Sequence, residues 1–157
     1  MGGIRKVSME DALLRDSGID IIYEDNHLLV AKKPVNMLSQ ADGTGDLDIL
    51  SILKEYIKKR YNKPGNVFLG LVHRLDRPVG GVMVFARTSK AASRVSEQIR
   101  TRGFEKTYLA VIHGTPSEKK GSLEHYLDKD SASNTVKVVS SSDSGAKKAV
   151  LEYRVTD

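Results

Sequence analysis

One short segment of the sequence concentrates side chains that can act chemically on a substrate. It reads His73-Arg74-Leu75-Asp76-Arg77-Pro78-Val79-Gly80-Gly81. Two arginines and a histidine surround the single carboxylate of Asp76, and neighbouring positive charge favours the ionised form of a carboxylate. An ionised carboxylate can serve as a nucleophile. A turn held by an Asp–Arg salt bridge has the same composition and is common, so composition alone favours the salt-bridged turn.

The segment must be positioned by the elements on either side of it. Residues 68–72 and 82–86 are apolar runs of strand length. We predict that they are adjacent core strands and that the second has both faces covered. A connection between two buried strands is where a rigid scaffold commonly presents a functional loop. Upstream, residues 19–24 and 27–32 are β-prone and flank Asp25-Asn26, which predicts a hairpin.

Two helices are predicted from apolar residues that follow the helical period. The first begins after a candidate N-cap, Asp46, and stops at Lys63-Pro64-Gly65. The second covers residues 89–102, with Thr88 as its N-cap and Gly103 as its stop. The inner face of this second helix is expected to carry Ala91, Ala92, Val95 and Ile99.

The last part of the chain is predicted to be rich in strands. Residues 105–113 alternate in polarity, and three further candidate strands follow at 122–128, 134–139 and 147–155. The Ser, Asp and Gly content of residues 140–146 predicts a mobile hairpin loop between the last two strands. Strands and helices do not alternate strictly, which disfavours a doubly wound parallel sheet. We therefore expect an α+β fold with a mostly antiparallel mixed sheet and two main helices.

Length and composition narrow the class of protein. With 157 residues, the chain is expected to form a single domain, residues 1–157, and to be a monomer. It has no cysteine, which excludes disulfides, thiolate nucleophiles and cysteine-type metal sites and favours a cytoplasmic protein. No apolar run approaches the ~18 residues of a membrane span, so no membrane partner is expected.

The basic residues are concentrated in the middle of the chain. From Lys54 to Lys106 there are thirteen lysines and arginines against four acidic residues. Between Met9 and Asp25, by contrast, six acidic residues face Arg15 alone. Clustered positive charge is typical of a protein that binds a polyanion such as RNA. A solvated basic surface without a nucleic-acid partner is an equally good interpretation of the charge by itself.

Three motifs together resemble the RluA-type pseudouridine synthases. His73-Arg74-Leu75-Asp76-Arg77 with Gly81 is similar to the catalytic signature of that family. Residues 22–34, which contain the predicted hairpin, and residues 106–114 are similar to two further motifs that follow the family's order. The resemblance spans most of the chain. It implies a pseudouridine-synthase-like fold and the conversion of uridine to pseudouridine in RNA.

The resemblance also implies roles for individual residues. Asp76 is the catalytic carboxylate, Arg74 takes part in flipping the target base out of the RNA, and Tyr108 stacks on the flipped uracil. His73, which orients the loop, and Arg77 are assigned with them to substrate binding. The reaction involves no redox change and no net hydrolysis, so no cofactor is expected. No metal site is predicted, because the remaining histidines lack a paired ligand spacing.

Two departures from the family pattern bear on activity. The chain has Gly80-Gly81 where the family often has a serine before the final glycine, which is expected to loosen the loop or remove a hydroxyl contact. It also lacks the family's later segment, a Thr-Gly-Arg-like stretch followed by His-Gln-Ile-Arg, which supplies a basic residue and an apolar wall. We therefore expect a truncated chain that binds RNA weakly and has little or no activity alone.

The sequence thus predicts an RNA pseudouridine synthase. Ribosomal and transfer RNA are the expected partners, and small nuclear RNA is left open. The alternative from another class is a non-catalytic RNA-binding module with the same scaffold and charge. An unrelated hydrolase that uses Asp76 as its nucleophile is disfavoured, because no base or oxyanion device is recognisable.

Overall fold

The computed structural model describes residues 9–130, 132–133 and 135–156. They divide into two units, the first ending at Thr107 and the second beginning at Tyr108. The described part of the first unit contains three helices and a four-stranded sheet. Its elements in chain order are helix α1 (Met9–Asp16), strands β1 (Asp20–Glu24) and β2 (Leu28–Lys33), helix α2 (Ile49–Arg60), strands β3 (Gly70–Leu71) and β4 (Gly81–Ala86), and helix α3 (Ser89–Arg100).

The sheet of the first unit has the order β1-β2-β4-β3, and every pair is antiparallel. The predicted hairpin is confirmed as β1 and β2. The carboxylate of Asp25 closes its turn by accepting hydrogen bonds from the amides of Leu28 (2.6 Å) and His27 (2.7 Å). The Tyr23 hydroxyl donates a third bond at 2.7 Å. These bonds, led by the two backbone amides, lower the pKa of Asp25 to about 2.

The core of the first unit joins the sheet to helix α2. Alternate residues of β2 and β4 are fully buried, namely Leu29, Ala31, Met83 and Phe85. Helix α2 contributes five buried side chains, Ile49, Ile52, Leu53, Tyr56 and Ile57. Burying an aliphatic or aromatic side chain of this size stabilises a fold by ~1.5–3 kcal/mol. This core fixes β4, the strand that follows the candidate loop.

The two strands that flank the candidate loop pair as predicted, with two differences. Of residues 68–72, only Gly70–Leu71 pair with β4, and they form an edge strand with a partner on one side. The prediction that both faces of β4 are covered is wrong for Val82, which is 56% exposed. Helix α3 packs at the other end of β4, where Ala92 lies beside Gly70. The helix therefore does not cover Val82.

Helix α2 begins two residues later than its predicted cap. Its N-cap is Asp48, whose Oδ1 accepts a hydrogen bond from the amide of Ser51 at 2.9 Å. Asp48 also bridges to Leu38, and the amide of Ile49 donates to the carbonyl of Leu38 at 2.9 Å. This bridge joins residues ten positions apart and fixes the start of the helix at Ile49. Asp46 therefore stays in the preceding loop.

Helices α2 and α3 end in the same motif, in which a residue with positive φ reverses the chain. The reversing residues are Asn62 (φ 46°) and Arg102 (φ 59°). In both cases the amide of the next residue donates to the carbonyl five residues earlier, at 3.0 and 2.9 Å, which is a Schellman motif. The predicted stops, Lys63-Pro64-Gly65 and Gly103, lie immediately beyond the reversing residues. The predicted N-cap of α3, Thr88, is confirmed.

Helix α1 is not predicted from the sequence, in which acidic residues dominate this region. Its Leu14 is buried in the core, and Leu13 packs against the same cluster. The described residues therefore contain three helices rather than two main ones, while the predicted α+β class with antiparallel sheets is confirmed. None of the described helices is long and apolar enough to cross a membrane.

The second unit contains a separate antiparallel sheet of three strands in its described residues. These are β5 (Lys120–Asp130), β6 (Thr135–Val139) and β7 (Lys147–Arg154), in the order β6-β5-β7. All three strands are predicted, although Asn134, at the start of the predicted β6, lies outside the described residues. The predicted hairpin loop at 140–146 is wrong, because β6 and β7 both pair with β5 rather than with each other. The segment instead connects the two sides of β5.

The predicted strand at residues 105–113 is not formed in the described structure. Its alternating polarity is typical of a strand, but its backbone has no ladder partner among the described residues. Leu109 and Val111 are accordingly almost completely exposed. A strand needs a neighbour to satisfy its amide and carbonyl groups, and this requirement cannot be seen in the pattern of one segment.

The choice of N-cap can be tested by mutating the two candidate aspartates separately. We expect Asp48→Ala to lower the free energy of unfolding by about 1 kcal/mol, because the amide of Ser51 loses its acceptor. Asp46→Ala is the matched control; it removes only a half-exposed ion pair with Arg77 and should change stability by less than about 0.5 kcal/mol. Urea unfolding followed by circular dichroism measures both. Equal effects of the two substitutions would contradict the assignment of Asp48.

Candidate active site

The candidate segment forms a loop between β3 and β4 that is anchored by one apolar side chain. Leu75 is buried against the core, and its neighbours Arg74, Asp76 and Arg77 are exposed. The carbonyl of Asp76 accepts a hydrogen bond from the amide of Val79 at 3.0 Å, which closes a turn. The loop therefore presents three charged side chains to solvent from a fixed base.

The backbone of Leu75 is held by a side chain from another part of the chain. The hydroxyl of Ser39 donates to the carbonyl of Leu75 at 2.6 Å and accepts from the amide of Leu75 at 3.1 Å. Ser39 is buried, so these two bonds do not compete with water. The loop is thereby attached to the segment that precedes helix α2.

A second tether comes from Lys33, whose side chain is completely buried. Its Nζ donates hydrogen bonds to the carbonyls of Met37 (2.7 Å), Pro34 (3.1 Å) and Arg77 (3.2 Å). Burial lowers the pKa of Lys33, and the negative charge of Asp76 opposes part of that shift. The ammonium group thus ties the end of β2 to the residue that follows Asp76.

Neither Lys33 nor Ser39 is among the predicted site residues. For Lys33 a signal exists in the sequence, because Leu29, Ala31 and Lys33 alternate along one strand and share its buried face. For Ser39 no local pattern indicates a role. Its partner Leu75 lies 36 residues away, and the loop containing Ser39 carries no distinctive spacing.

The ion pairs of the loop differ from those of a salt-bridged turn. Nη1 of Arg77 lies 2.7 Å from Oδ2 of Asp46, and both side chains are about half exposed (49% and 48%). The carboxylate of Asp76 makes no ion pair or hydrogen bond with any other described residue. The aspartate predicted as a helix cap is therefore the partner of Arg77, and Asp76 is left available to a ligand.

The ring of His73 is half-buried and is hydrogen-bonded to the sheet. Its ring nitrogen Nε2 accepts a hydrogen bond from the backbone amide of Val84 at 3.0 Å, which requires that this nitrogen carry no proton. Burial lowers the pKa of His73, and the positive charge of Lys106 lowers it further. The ring also lies 6.0 Å from that of Phe104. A neutral His73 therefore joins the start of the loop to the middle of β4.

The fifth predicted residue, Tyr108, belongs to the second unit. It is 58% exposed and lies in the segment that forms no strand. The first unit thus brings together His73, Arg74, Asp76 and Arg77, and Tyr108 is described separately. In the described part of the chain, no group of three or more His, Cys, Asp or Glu residues is arranged so that it could hold a metal ion.

Comparison with known proteins identifies the family. The sequence profile described as RNA pseudouridylate synthase matches residues 27–157. The chain belongs to the RNA pseudouridylate synthase family. It is 33% identical over 148 residues to the ribosomal large subunit pseudouridine synthase D of Borreliella burgdorferi, and the match covers 90% of this chain and 44% of that protein. The resemblance found in the sequence motifs is therefore confirmed.

Two further comparisons extend this result. The chain is 37% identical over 112 residues to the tRNA pseudouridine synthase C of Haemophilus ducreyi, and the match covers 69% of this chain and 42% of that protein. Among solved structures, the human RNA pseudouridylate synthase domain containing 4 superposes with a TM-score of 0.71 at 26% identity, covering 93% of this chain and 55% of that one. The chain thus spans less than half the length of the two synthases that it matches in sequence.

Glycines 80 and 81 bring the loop of this pseudouridylate synthase family member close to neighbouring groups. A Cβ atom at Gly80 would lie 3.1 Å from Cγ1 of Val35 and 3.3 Å from the carbonyl oxygen of Lys33. Gly81 has a φ of 153°, which side-chain-bearing residues rarely adopt, and a Cβ there would lie 3.3 Å from Leu75. The departure from the usual family pattern therefore permits a close approach of the loop to the end of β2.

The neutral state of His73 predicts how stability depends on pH. Because its folded pKa lies below the ordinary value of 6.5, the contribution of His73 is complete above about pH 6.5. It is lost as the pH falls through the lower, folded value, because the unfolded chain binds the proton first. We expect the free energy of unfolding to decline below about pH 6.5 and to decline less in His73→Gln, whose amide oxygen can still accept from Val84.

Urea unfolding at a series of pH values measures this effect. Three carboxylates with lowered pKa values also make stability depend on pH, namely Asp25, Asp42 and Asp130. Their effect falls below about pH 4 and does not obscure the effect of His73. Identical pH profiles for the wild type and His73→Gln between pH 5 and 7 would contradict a neutral, buried His73.

The tether formed by Lys33 can be tested against its neighbour in the same strand. Lys33→Met fills a similar volume but leaves three backbone carbonyls without their donor, so we expect a loss of roughly 1–3 kcal/mol in the free energy of unfolding. Lys32→Met is the matched control, because Lys32 is exposed, and it should change stability by less than about 0.5 kcal/mol. Chemical unfolding measures both. A Lys33→Met protein as stable as Lys32→Met would show that the three hydrogen bonds contribute nothing.

Proposed function

We propose that the protein is an RNA pseudouridine synthase that converts uridine to pseudouridine in structured RNA. The observation that carries the proposal is the state of Asp76. Its carboxylate is exposed and makes no hydrogen bond or ion pair with a described residue, on a loop whose backbone is held by Lys33 and Ser39. Membership in the RNA pseudouridylate synthase family supports the same reaction.

The chemistry of the reaction suits a single carboxylate. The N1–C1′ glycosidic bond of uridine breaks, and C1′ is joined to C5 of the same base. C5 loses its proton to solvent and N1 gains one, so the atoms balance without a cofactor. A carboxylate can attack carbon or stabilise positive charge on the sugar, as in glycoside hydrolysis. We propose Asp76 for this role, with attack at C1′, attack at C6 of the base and abstraction of a sugar proton all open to it.

The target base must leave its stack before it can react, because its reactive atoms are covered in folded RNA. We propose that Arg74, which is exposed two residues before Asp76, stabilises the RNA from which the base has been flipped. Tyr108 is proposed to stack on the flipped uracil, an interaction worth ~1–3 kcal/mol per base. Its exposure in the second unit leaves its ring available for this contact.

The two remaining site residues are proposed to support binding. Arg77 is half exposed and bears a guanidinium group that suits a phosphate of the RNA backbone. His73 is proposed to orient the loop rather than to transfer protons, because its Nε2 is engaged by the amide of Val84. Neither role requires a metal ion or a cofactor.

RNA is the proposed partner, with ribosomal or transfer RNA as the expected class. The concentration of basic residues between Lys54 and Lys106 supports binding to a polyanion, and the names of two relatives specify ribosomal and transfer RNA. We further infer that residues 1–157 are part of one catalytic domain, because a single family profile matches residues in both units. The absence of cysteine in the sequence supports a cytoplasmic location.

The catalytic assignment is tested by Asp76→Asn in the complete protein that carries this sequence. The substitution keeps the size of the side chain and removes its charge, so we expect the release of tritium from RNA labelled at C5 of uridine to fall by roughly 10³-fold or more. RNA binding, measured by filter retention, should be unchanged. Asp20→Asn is the matched control, since Asp20 is an exposed aspartate at the start of β1.

The outcomes separate the proposed enzyme from a binding module. Tritium release by the wild type and by Asp20→Asn, with almost none by Asp76→Asn, supports the proposal. RNA binding without tritium release by any of the three proteins would indicate a non-catalytic RNA-binding module. Full activity in Asp76→Asn would exclude Asp76 as the catalytic carboxylate.

A further inference from the structure

We propose that Ser39 is a positioning residue that fixes the orientation of Asp76. The inference rests on the proposed function, in which Asp76 acts on the nucleotide. It starts from the two hydrogen bonds that the Ser39 hydroxyl makes to the amide and carbonyl of one residue, Leu75, at 3.1 and 2.6 Å. A single side chain thereby satisfies both backbone groups, as a neighbouring strand would do.

These two hydrogen bonds restrain the backbone of the residue immediately before Asp76. The carbonyl of Leu75 belongs to the peptide unit that enters Asp76, so the bond from Ser39 fixes the plane of that unit. The carbonyl of Asp76 is held by the amide of Val79, and the carbonyl of Arg77 is held by Nζ of Lys33. Three successive peptide units around Asp76 are therefore restrained.

The side chain of Asp76, in contrast, makes no hydrogen bond or ion pair with a described residue. Its carboxylate is consequently positioned by its backbone alone. A misplacement of about 1 Å can slow a catalysed reaction roughly 10²-fold, because reacting atoms must approach in a narrow geometry. Loss of the Ser39 hydroxyl should therefore affect the chemical step although Ser39 does not touch the substrate-facing side of the loop.

Ser39 is itself well placed to act as a fixed point. It is 6% exposed, and its Oγ also lies 3.7 Å from Sδ of Met83 in the core strand β4. Its neighbour Leu38 is bridged to Asp48, the N-cap of helix α2. The backbone next to Ser39 is thus linked to the start of helix α2. The hydroxyl itself is buried, so water cannot take its place in these hydrogen bonds.

The test compares two substitutions of the same shape in the complete protein. Ser39→Thr keeps the hydroxyl, and Ser39→Val replaces it with a methyl group of similar size. Ser39→Ala is added because it introduces no extra atom into the buried site. The rate of tritium release is measured in a single turnover with saturating enzyme, together with the affinity for the same RNA, so that chemistry and binding are read separately.

We expect Ser39→Val and Ser39→Ala to lower the single-turnover rate roughly 10- to 100-fold with RNA affinity unchanged. Ser39→Thr should retain a rate within about threefold of the wild type, because its hydroxyl restores the two hydrogen bonds. Tyr56→Phe is the control for lost stability, since it removes a partly buried hydrogen bond to Glu24 and should leave the rate unchanged.

Three results would overturn the inference. The first is an equal rate in Ser39→Thr and Ser39→Val, the second is a loss that appears only in RNA affinity, and the third is an equal loss in Tyr56→Phe. If the wild type releases no tritium, the proposed function fails instead. Hydrogen exchange at the amide of Leu75 then tests whether the Ser39 hydroxyl holds the backbone of Leu75. Exchange at least tenfold faster in Ser39→Val than in Ser39→Thr supports the positioning contact, and equal exchange overturns it.

Discussion

The buried ammonium group of Lys33 is the constraint on which the candidate site depends. A charged group removed from water is costly unless its hydrogen bonds are made, and three backbone carbonyls, of Pro34, Met37 and Arg77, make them here. Two of these belong to the segment after β2, and one belongs to the loop that carries Asp76. Moving either segment away would leave a buried charge with missing partners. The position of the exposed loop that carries Asp76 is thus set by a buried charge.

The carboxylate of Asp76 makes no ion pair or hydrogen bond with a described residue, because the neighbouring cationic groups have other partners. The guanidinium group of Arg77 is engaged by Asp46, and the ammonium group of Lys33 is engaged by carbonyls. The carboxylate of Asp76 is exposed to solvent. In the proposed reaction the RNA replaces that solvent, and electrostatic interactions become stronger as water is excluded. A carboxylate that forms no ion pair before binding can therefore interact strongly with charge that develops on the nucleotide.

The parts of the fold that local chemistry determines could be predicted from the sequence. The hairpin closed by Asp25 and the helix capped by Thr88 depend on residues at most three positions away. The start of α2 could not be predicted, because its cap at Asp48 depends on a bridge to Leu38 across a loop. The site shows the same division: the charged loop around Asp76 is visible as a motif, whereas its supports depend on contacts between distant residues.

Contacts between distant segments are required in this loop because it belongs to no strand. Backbone groups near a buried residue such as Leu75 must find partners, and the turn within the loop satisfies the carbonyl of Asp76 but neither backbone group of Leu75. The hydroxyl of Ser39 meets this need, and Ser39 is held by the bridge between Leu38 and Asp48 at the start of α2. Contacts of Leu38 and Ser39 therefore connect the start of helix α2, the loop and strand β4. A shift of the N-terminus of α2 would reach the peptide unit beside Asp76, so the geometry of the proposed reaction depends on where α2 begins as well as on the loop.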